Sequence, residues 1–237
     1  SLEGAEIEYL VRRSFRRRSI SLEIYPSHLL VRAPVRFSDR HIRNILSKHD
    51  AWIIRQNALL NALSIQTKRD YVTGEQFPYL GNQYTLYVIQ NNRTMRPSVK
   101  VIDRNIYVYV PQKSGATISV QDTLLNWYHT EALTYLSKRV KALSKKTGLE
   151  PSRMRIKNQR TLWGSCSSKG SINLNWRLIL TPVSIIDYVV MHELCHLRVA
   201  NHSRLFWTLL LANDPSYVEH KAWLRKHERE LKMWFLT

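Results

Sequence analysis

A chain of 237 residues with 44% hydrophobic and 23% charged side chains lies in the globular range, which excludes a disordered or fibrous protein. No run of about 18 apolar residues occurs, so no membrane-spanning helix is expected. Basic residues outnumber acidic ones by 36 to 18, and the net charge of +18 points to a polyanionic partner or substrate, or to a merely solvated basic surface.

The first residues, with Glu3, Glu6, Glu8, Arg12 and Arg13, hold no apolar core of a signal peptide. Two cysteines make no disulfide framework, so a cytoplasmic location is expected. Residues 19–25 alternate, with Ile20, Leu22 and Ile24 on one side, and predict a half-buried strand. Residues 29–33 predict another, closed by Pro34. Residues 39–63 turn helical, with Ile42, Ile45, Leu46, His49, Ile53 and Leu60 recurring at three and four and Ser38 as N-cap. Strands follow at 84–89, 99–103 and 106–110, the last closed by Pro111. A helix then spans 120–147 and stops at Gly148. Pro34 and Pro111, followed by Trp52 and Trp127 in the next helices, suggest either a loose duplication or two ordinary units that look alike.

Past Pro151 a short strand is expected at 153–159, then a turn-rich link at 163–170. Residues 171–180 alternate again: Ile172, Leu174, Trp176, Leu178 and Leu180 on one face, Asn173, Asn175 and Arg177 on a wet face. Thr181 and Pro182 open a helix running to about Ala200. Two more helices follow, from Ser203 to about Asn213 and from Ser216 nearly to the end.

The strongest chemical signal is His192-Glu193-Leu194-Cys195-His196. On a helix, residues four apart share a face, so both imidazoles can hold one divalent ion while Glu193 reaches a water instead. A catalytic zinc takes three protein ligands and keeps one open position. His202, six residues after His196, has the metzincin spacing, but Val199 stands where metzincins have glycine. Asn201 is a candidate for the left-handed turn there, and no Met-turn follows. Glu219 is the alternative third ligand, in the gluzincin manner. Cys195 points elsewhere on the helix and reads as a buried structural thiol. Cys166 has no basic partner nearby in sequence and reads as part of a cleft edge.

The runs Thr161-Leu-Trp-Gly-Ser-Cys-Ser, Ile172-Asn-Leu-Asn-Trp-Arg-Leu-Ile, Asp187-Tyr-Val-Val-Met-His-Glu-Leu-Cys-His, Asn201-His-Ser and Phe206-Trp resemble the YgjP-like metal-dependent hydrolase family, related to the SprT and WLM zinc peptidase-like proteins. The resemblance is dense over roughly 155–215 and looser upstream. It implies an α+β fold: a β-rich, basic N-terminal region (1–115) with an inserted helix, then a small zincin-like helical domain (116–237) with a β-hairpin or sheet edge. It also implies one zinc ion per chain on His192, His196 and His202, with Glu193 as general base. Candidate contacts to the substrate or transition state are Arg177, Arg204, Tyr217 and His220.

The leading reading is a zinc hydrolase of the metallopeptidase kind, taking an extended peptide along 171–180 as an edge strand. A nucleoside triphosphate pyrophosphatase at the same metal is the first alternative, and it would need several Arg or Lys close to the zinc. A nucleic-acid-binding protein with a zincin-like domain is the second, and it would need a continuous basic stripe. The tract from Lys138 to Arg160 is the candidate for such a stripe. No helix-turn-helix, zinc finger or aromatic-rich stacking sheet is read from the sequence, so no strong base preference is expected.

Overall fold

Residues 7–25, 28–67, 69–91, 96–111, 119–159 and 161–235 are described by the computed structural model. Glu3, Glu6 and Arg160 of the sequence reading lie outside them. The chain separates into two units, Ser1–Lys68 and Arg69–Thr237. Among the described residues no helix is long and apolar enough to cross a membrane.

In the first unit, strands β1 (Tyr9–Ser14), β2 (Ser21–Ile24) and β3 (Leu29–Pro34) form a sheet in the order β1-β3-β2. β3 pairs in parallel with β1 and antiparallel with β2. Its Leu29, Val31 and Ala33 are buried with Ile42, Leu46 and Ile53 of the helices that follow. The expected helix over 39–63 is two helices, α1 (Asp39–Lys48) and α2 (Asp50–Thr67), with the break at His49 (φ −109°, ψ 11°). Ser38 caps α1, its hydroxyl accepting from the His41 amide at 3.2 Å.

The second unit opens with β4 (Gln76–Tyr79), β5 (Asn82–Asn91), β6 (Ser98–Ile102) and β7 (Asn105–Pro111), in the order β4-β5-β7-β6. Helix α3 (Val120–Thr147) is capped by Ser119 and ends at Gly148, whose φ of 70° is the left-handed C-terminal stop. Next come β8 (Arg153–Lys157), β9 (Gly164–Cys166) and β10 (Ser171–Asn175), in the order β8-β10-β9. A 3₁₀ helix (Trp176–Leu180) leads into α4 (Val183–Cys195), α5 (Arg204–Asn213) and α6 (Tyr217–Met233).

One topology occurs three times. In β1-β2-β3, in β5-β6-β7 and in β8-β9-β10, the third strand lies in the middle, parallel to the first and antiparallel to the second. A proline and then a helix follow each time: Pro34 and α1, Pro111 and α3, Pro182 and α4. The duplication suggested by Pro34 and Pro111 is thus matched in topology and extends to a third unit. Proline suits these exits because it lacks the N–H a continuing central strand would donate.

Four expectations change. The division falls after Lys68 and not at 115, because Phe77, Leu86, Ile106 and Val108 share a core with Leu124, Tyr128 and Ala132 of α3 and with Ile172, Trp176 and Ile186 beyond it. The strand expected over 171–180 stops at Asn175, and Asn175 and Arg177 are buried where a wet face was expected. Because β10 is the middle strand of its sheet, it is not an edge; the edges are β8 and β9. Helix α4 also ends earlier than Ala200, at Cys195.

The β4–β5 turn fastens the four-stranded sheet to the base of α4. Leu80 and Gly81 both have positive φ, 49° and 78°, as a two-residue hairpin turn of the primed type requires. The Leu80 amide donates to the Ile179 carbonyl at 2.8 Å, and a Cβ on Gly81 would come within 2.6 Å of the Pro182 Cα. Gly81→Ala therefore meets both a left-handed backbone and a rigid neighbour. It should cost about 2 kcal/mol or more and lower Tm by roughly 4–8 °C. A melting curve unchanged from the parent would show that the hairpin does not seat there.

Candidate metal centre

Helix α4 forms because it is buried nearly all round. Ile185, Ile186, Val189, Val190, Met191, Leu194 and Cys195 are all in the core, which leaves the turn bearing His192 and His196 as its polar end. After Cys195 the chain keeps turning: the Leu197 amide donates to the Leu194 carbonyl at 3.0 Å, and the Val199 amide to the Cys195 carbonyl at 2.9 Å. This turn delivers His202 to the start of α5. Neither Val199 nor Asn201 has a positive φ, so the left-handed turn expected at Asn201 does not occur. The Asn201 side chain instead accepts from the Ser203 amide at 3.3 Å.

Ring nitrogens of His192, His196 and His202 lie within 4.8 Å of one another. The Nε2 atoms of His192 and His202 are 3.1 Å apart, close to the roughly 3.3 Å separating two imidazole nitrogens bound tetrahedrally to one ion at about 2.0–2.1 Å. The His196 Nδ1 faces the Val199 carbonyl at 3.1 Å. With the proton on Nδ1, the Nε2 lone pair is left free, the usual outer-shell arrangement of a ligating histidine. His192 is pushed down to about 3 by burial and by the neighbouring His196 and His202, and His202 is lowered by the same kinds of cause. Both are therefore neutral at physiological pH, as metal ligands must be. The cluster fits a divalent metal.

Aromatic rings hold the histidines in place. Buried Phe206 stacks on His196 with centroids 4.5 Å apart and lies 4.9 and 4.8 Å from His192 and His202. Trp207 stacks on His202 at 5.5 Å and donates its indole N–H to the His202 carbonyl at 3.0 Å. Tyr217 stacks on Trp207 at 5.6 Å, and the Lys221 ammonium lies 4.6 Å from that ring's centroid.

Glu193 is 5% exposed, and its Oε2 has no partner among the described residues. Burial alone raises its carboxyl to about 8. Strand β9 presses on it: a Cβ on Gly164 would lie 2.5 Å from Glu193 Oε1. This explains the glycine in Trp163-Gly164-Ser165-Cys166, since any side chain there would displace the carboxyl. Cys166 is raised by burial and by Glu193. Both cysteines are free, and buried Cys195 is pushed up to about 11 by its surroundings, as a structural thiol would be.

The remaining candidates separate. Glu219 is exposed on α6 and outside the histidine cluster. Arg204 is exposed at the first position of α5. Tyr217 reaches the cluster through other rings, stacking on Trp207 and lying near Tyr188. His220 pairs through Nδ1 with Asp214 at 2.9 Å, and Tyr188 lies between it and His192, at 6.2 and 6.1 Å between ring centroids. Arg177 donates to the Trp234 carbonyl at 3.1 Å and to Asn158 Oδ1, which makes it a clamp on the C-terminal segment. Gly164, Tyr188, Phe206 and Trp207 lie within the family-like runs of the sequence but carry no assigned site role there. Tyr188 lies four residues before His192 on α4, a spacing that places both on one helix face; Phe206 is in the first turn of α5, just after the segment that carries His202.

The chain matches one family model, described as YgjP-like, metallopeptidase domain, over residues 18–227. No curated protein matches it. Among solved structures it is similar to the metallopeptidase zymogen abylysin of Pyrococcus abyssi, at 21% identity and a TM-score of 0.36, over 40% of this chain and 96% of that one. It is also similar to the metallopeptidase zymogen jannalysin of Methanocaldococcus jannaschii, at 21% identity and a TM-score of 0.33, over 38% and 96%.

Proposed function

The chain belongs to the YgjP-like family of metallopeptidase domains, and on that premise we propose that it is a zinc-dependent hydrolase that cleaves peptide bonds. The observation that carries this reading is the convergence of His192, His196 and His202 beside the buried Glu193, whose Oε2 has no partner among the described residues. Zinc held by the three imidazoles would polarise a carbonyl and acidify a water. Glu193 Oε2 takes the proton of the attacking water and returns it to the leaving nitrogen. Its carboxyl, raised by burial, can hold that proton between the two transfers; a nearby cation would bring it back down.

An extended substrate finds a main-chain template in β9, an edge strand of its sheet whose Gly164 lies against Glu193. A nucleotide substrate would call for several basic side chains at the histidines. Among the described residues, Lys221 is the cation that contributes to the lowering of His192 and His202, and Arg177 donates to Asn158 and Trp234. The peptide reading therefore leads.

Elemental analysis of the purified protein should find one zinc per chain, and His202→Ala should lower it strongly; undiminished zinc would remove His202 from the ligand set and bring Glu219 forward. A fluorogenic peptide library screened beside the nucleoside triphosphates should show turnover of peptides. Turnover of nucleotides alone would replace the peptide reading.

On the substrate so found, Glu193→Gln should keep fold and zinc while kcat drops about 10²- to 10⁴-fold. Activity within a few-fold of the parent would refute the base assignment. Gly164→Ala should also keep the zinc and lower kcat at least roughly tenfold, by displacing the Glu193 carboxyl. Combined with Glu193→Gln it should add little, since both act through one group. Full additivity would mean that Gly164 matters for another reason.

A further inference from the structure

The four-stranded sheet of the second unit has one face on the core and one face open. Leu86, Ile106, Val108 and Val110 point inward beneath α3. Strand alternation puts their neighbours outside. Tyr87, Tyr107 and Lys100 form one row across β5, β7 and β6, and Ile89, Tyr109 and Ser98 form the next. Tyr87 and Tyr107 stack with centroids 5.2 Å apart and planes 19° from parallel. The Lys100 ammonium lies 5.8 Å from the Tyr109 ring centroid. Tyr87 is 38% exposed, and Tyr107 and Tyr109 are partly exposed. The aromatic-rich sheet that the sequence reading lacks is therefore present.

Charge indicates what this face meets. Its outward positions, Gln76, Thr85, Tyr87, Ile89, Ser98, Lys100, Ile102, Asn105, Tyr107 and Tyr109, include no acidic side chain. Edge strand β6 carries Lys100 near its middle, with exposed Arg96 just before it and, in the turn after it, exposed Arg104 beside one acid, Asp103. From Arg69 to Thr237 the sequence has 24 basic and 12 acidic residues. Such an excess opposes pairing with a second copy and favours a polyanion.

We propose that the open face of the β4-β5-β7-β6 sheet binds single-stranded nucleic acid, with bases stacked on Tyr87, Tyr107 and Tyr109 and phosphates along Arg96, Lys100 and Arg104. Every base has a π-face, so such a platform is tolerant of sequence, and it excludes a duplex, whose bases are already stacked on one another. This is separate from the basic tract first singled out. There Arg139 is committed to Asp187 through two hydrogen bonds, of 2.7 and 2.6 Å. The exposed Lys138, Lys141, Lys145 and Lys146 of α3 and Arg153, Arg155 and Lys157 of β8 offer charge without rings.

The test is fluorescence anisotropy with labelled oligothymidylate, labelled oligouridylate and a duplex of equal length. The parent should bind one or both single strands more tightly than the duplex, and the two single strands distinguish DNA from RNA. Tyr107→Ala and Tyr87→Ala should each weaken that binding about five- to 150-fold, while Tyr107→Phe, which keeps the ring, should bind much as the parent does. Lys100→Ala should flatten the slope of log affinity against log salt by about 0.7. Glu193→Gln should bind as the parent does, because hydrolysis is not involved. The proposal is overturned if the parent binds no single strand or binds duplex equally well, or if both alanine variants melt and bind like the parent. Self-association of the parent that Tyr87→Ala abolishes would overturn it as well, by assigning the face to a second copy.

Discussion

A carboxyl group held away from water governs the second unit. An ionised carboxylate in a dry interior carries a desolvation penalty of several kcal/mol unless a cation or hydrogen bonds compensate it. Among the described residues Glu193 is 5% exposed, has an unpartnered oxygen and forms no ion pair with a basic side chain. Burial therefore holds it protonated near neutral pH, at a pKa raised to about 8, unless a cation is brought up to it, and the neighbouring histidine cluster is a group that could hold one. The surroundings serve that arrangement. The core of α4 keeps the helix fixed, Gly164 lets β9 close over the carboxyl, and Phe206 and Trp207 support the imidazoles.

The thrice-used strand pattern explains how such a site is mounted. Each unit places its third strand in the middle of a sheet and then sends the chain, past a proline, into a helix. In the first unit that sheet and its helices have a core of their own. The second and third share one core, in which the β4–β5 turn lies against Pro182. The histidine-bearing helix of the third thus packs against β9 and β10 and meets the four-stranded sheet at that turn, a rigid mounting of the kind a precise site needs.

How much of this could be read from the sequence depends on the range of the forces involved. The ends of α3 were legible because Ser119 and Gly148 act locally. The pair His192 and His196 was legible because helical spacing alone puts both on one face. Residues 176–180 misled because alternation cannot tell a half-buried strand from a turn buried on every side. All five side chains of the 3₁₀ helix are buried, including Arg177, whose partner Trp234 lies 57 positions away in sequence. Strand order was equally hidden, since the parallel pairing of β8 with β10 depends on the whole core and not on either strand's composition. The alternating tyrosines at 107 and 109 are visible in the sequence, but their partner Tyr87 comes from a strand joined to theirs only through the fold.

The two surfaces of the second unit divide its electrostatics. Residues 181–237, which hold all three histidines and Glu193, have 7 basic and 6 acidic side chains, close to balance. Neutral imidazoles also suit such a region, because a strong positive field would repel the incoming metal ion. The basic excess of this unit lies earlier in the sequence, in residues 69–180 with 17 basic against 6 acidic side chains. At physiological salt a charge is felt over about 8 Å, so what sets the protonation of the histidines is local: burial, His196 and Lys221 for both His192 and His202, and His202 as well for His192. No side chain of the β4-β5-β7-β6 sheet is among those causes.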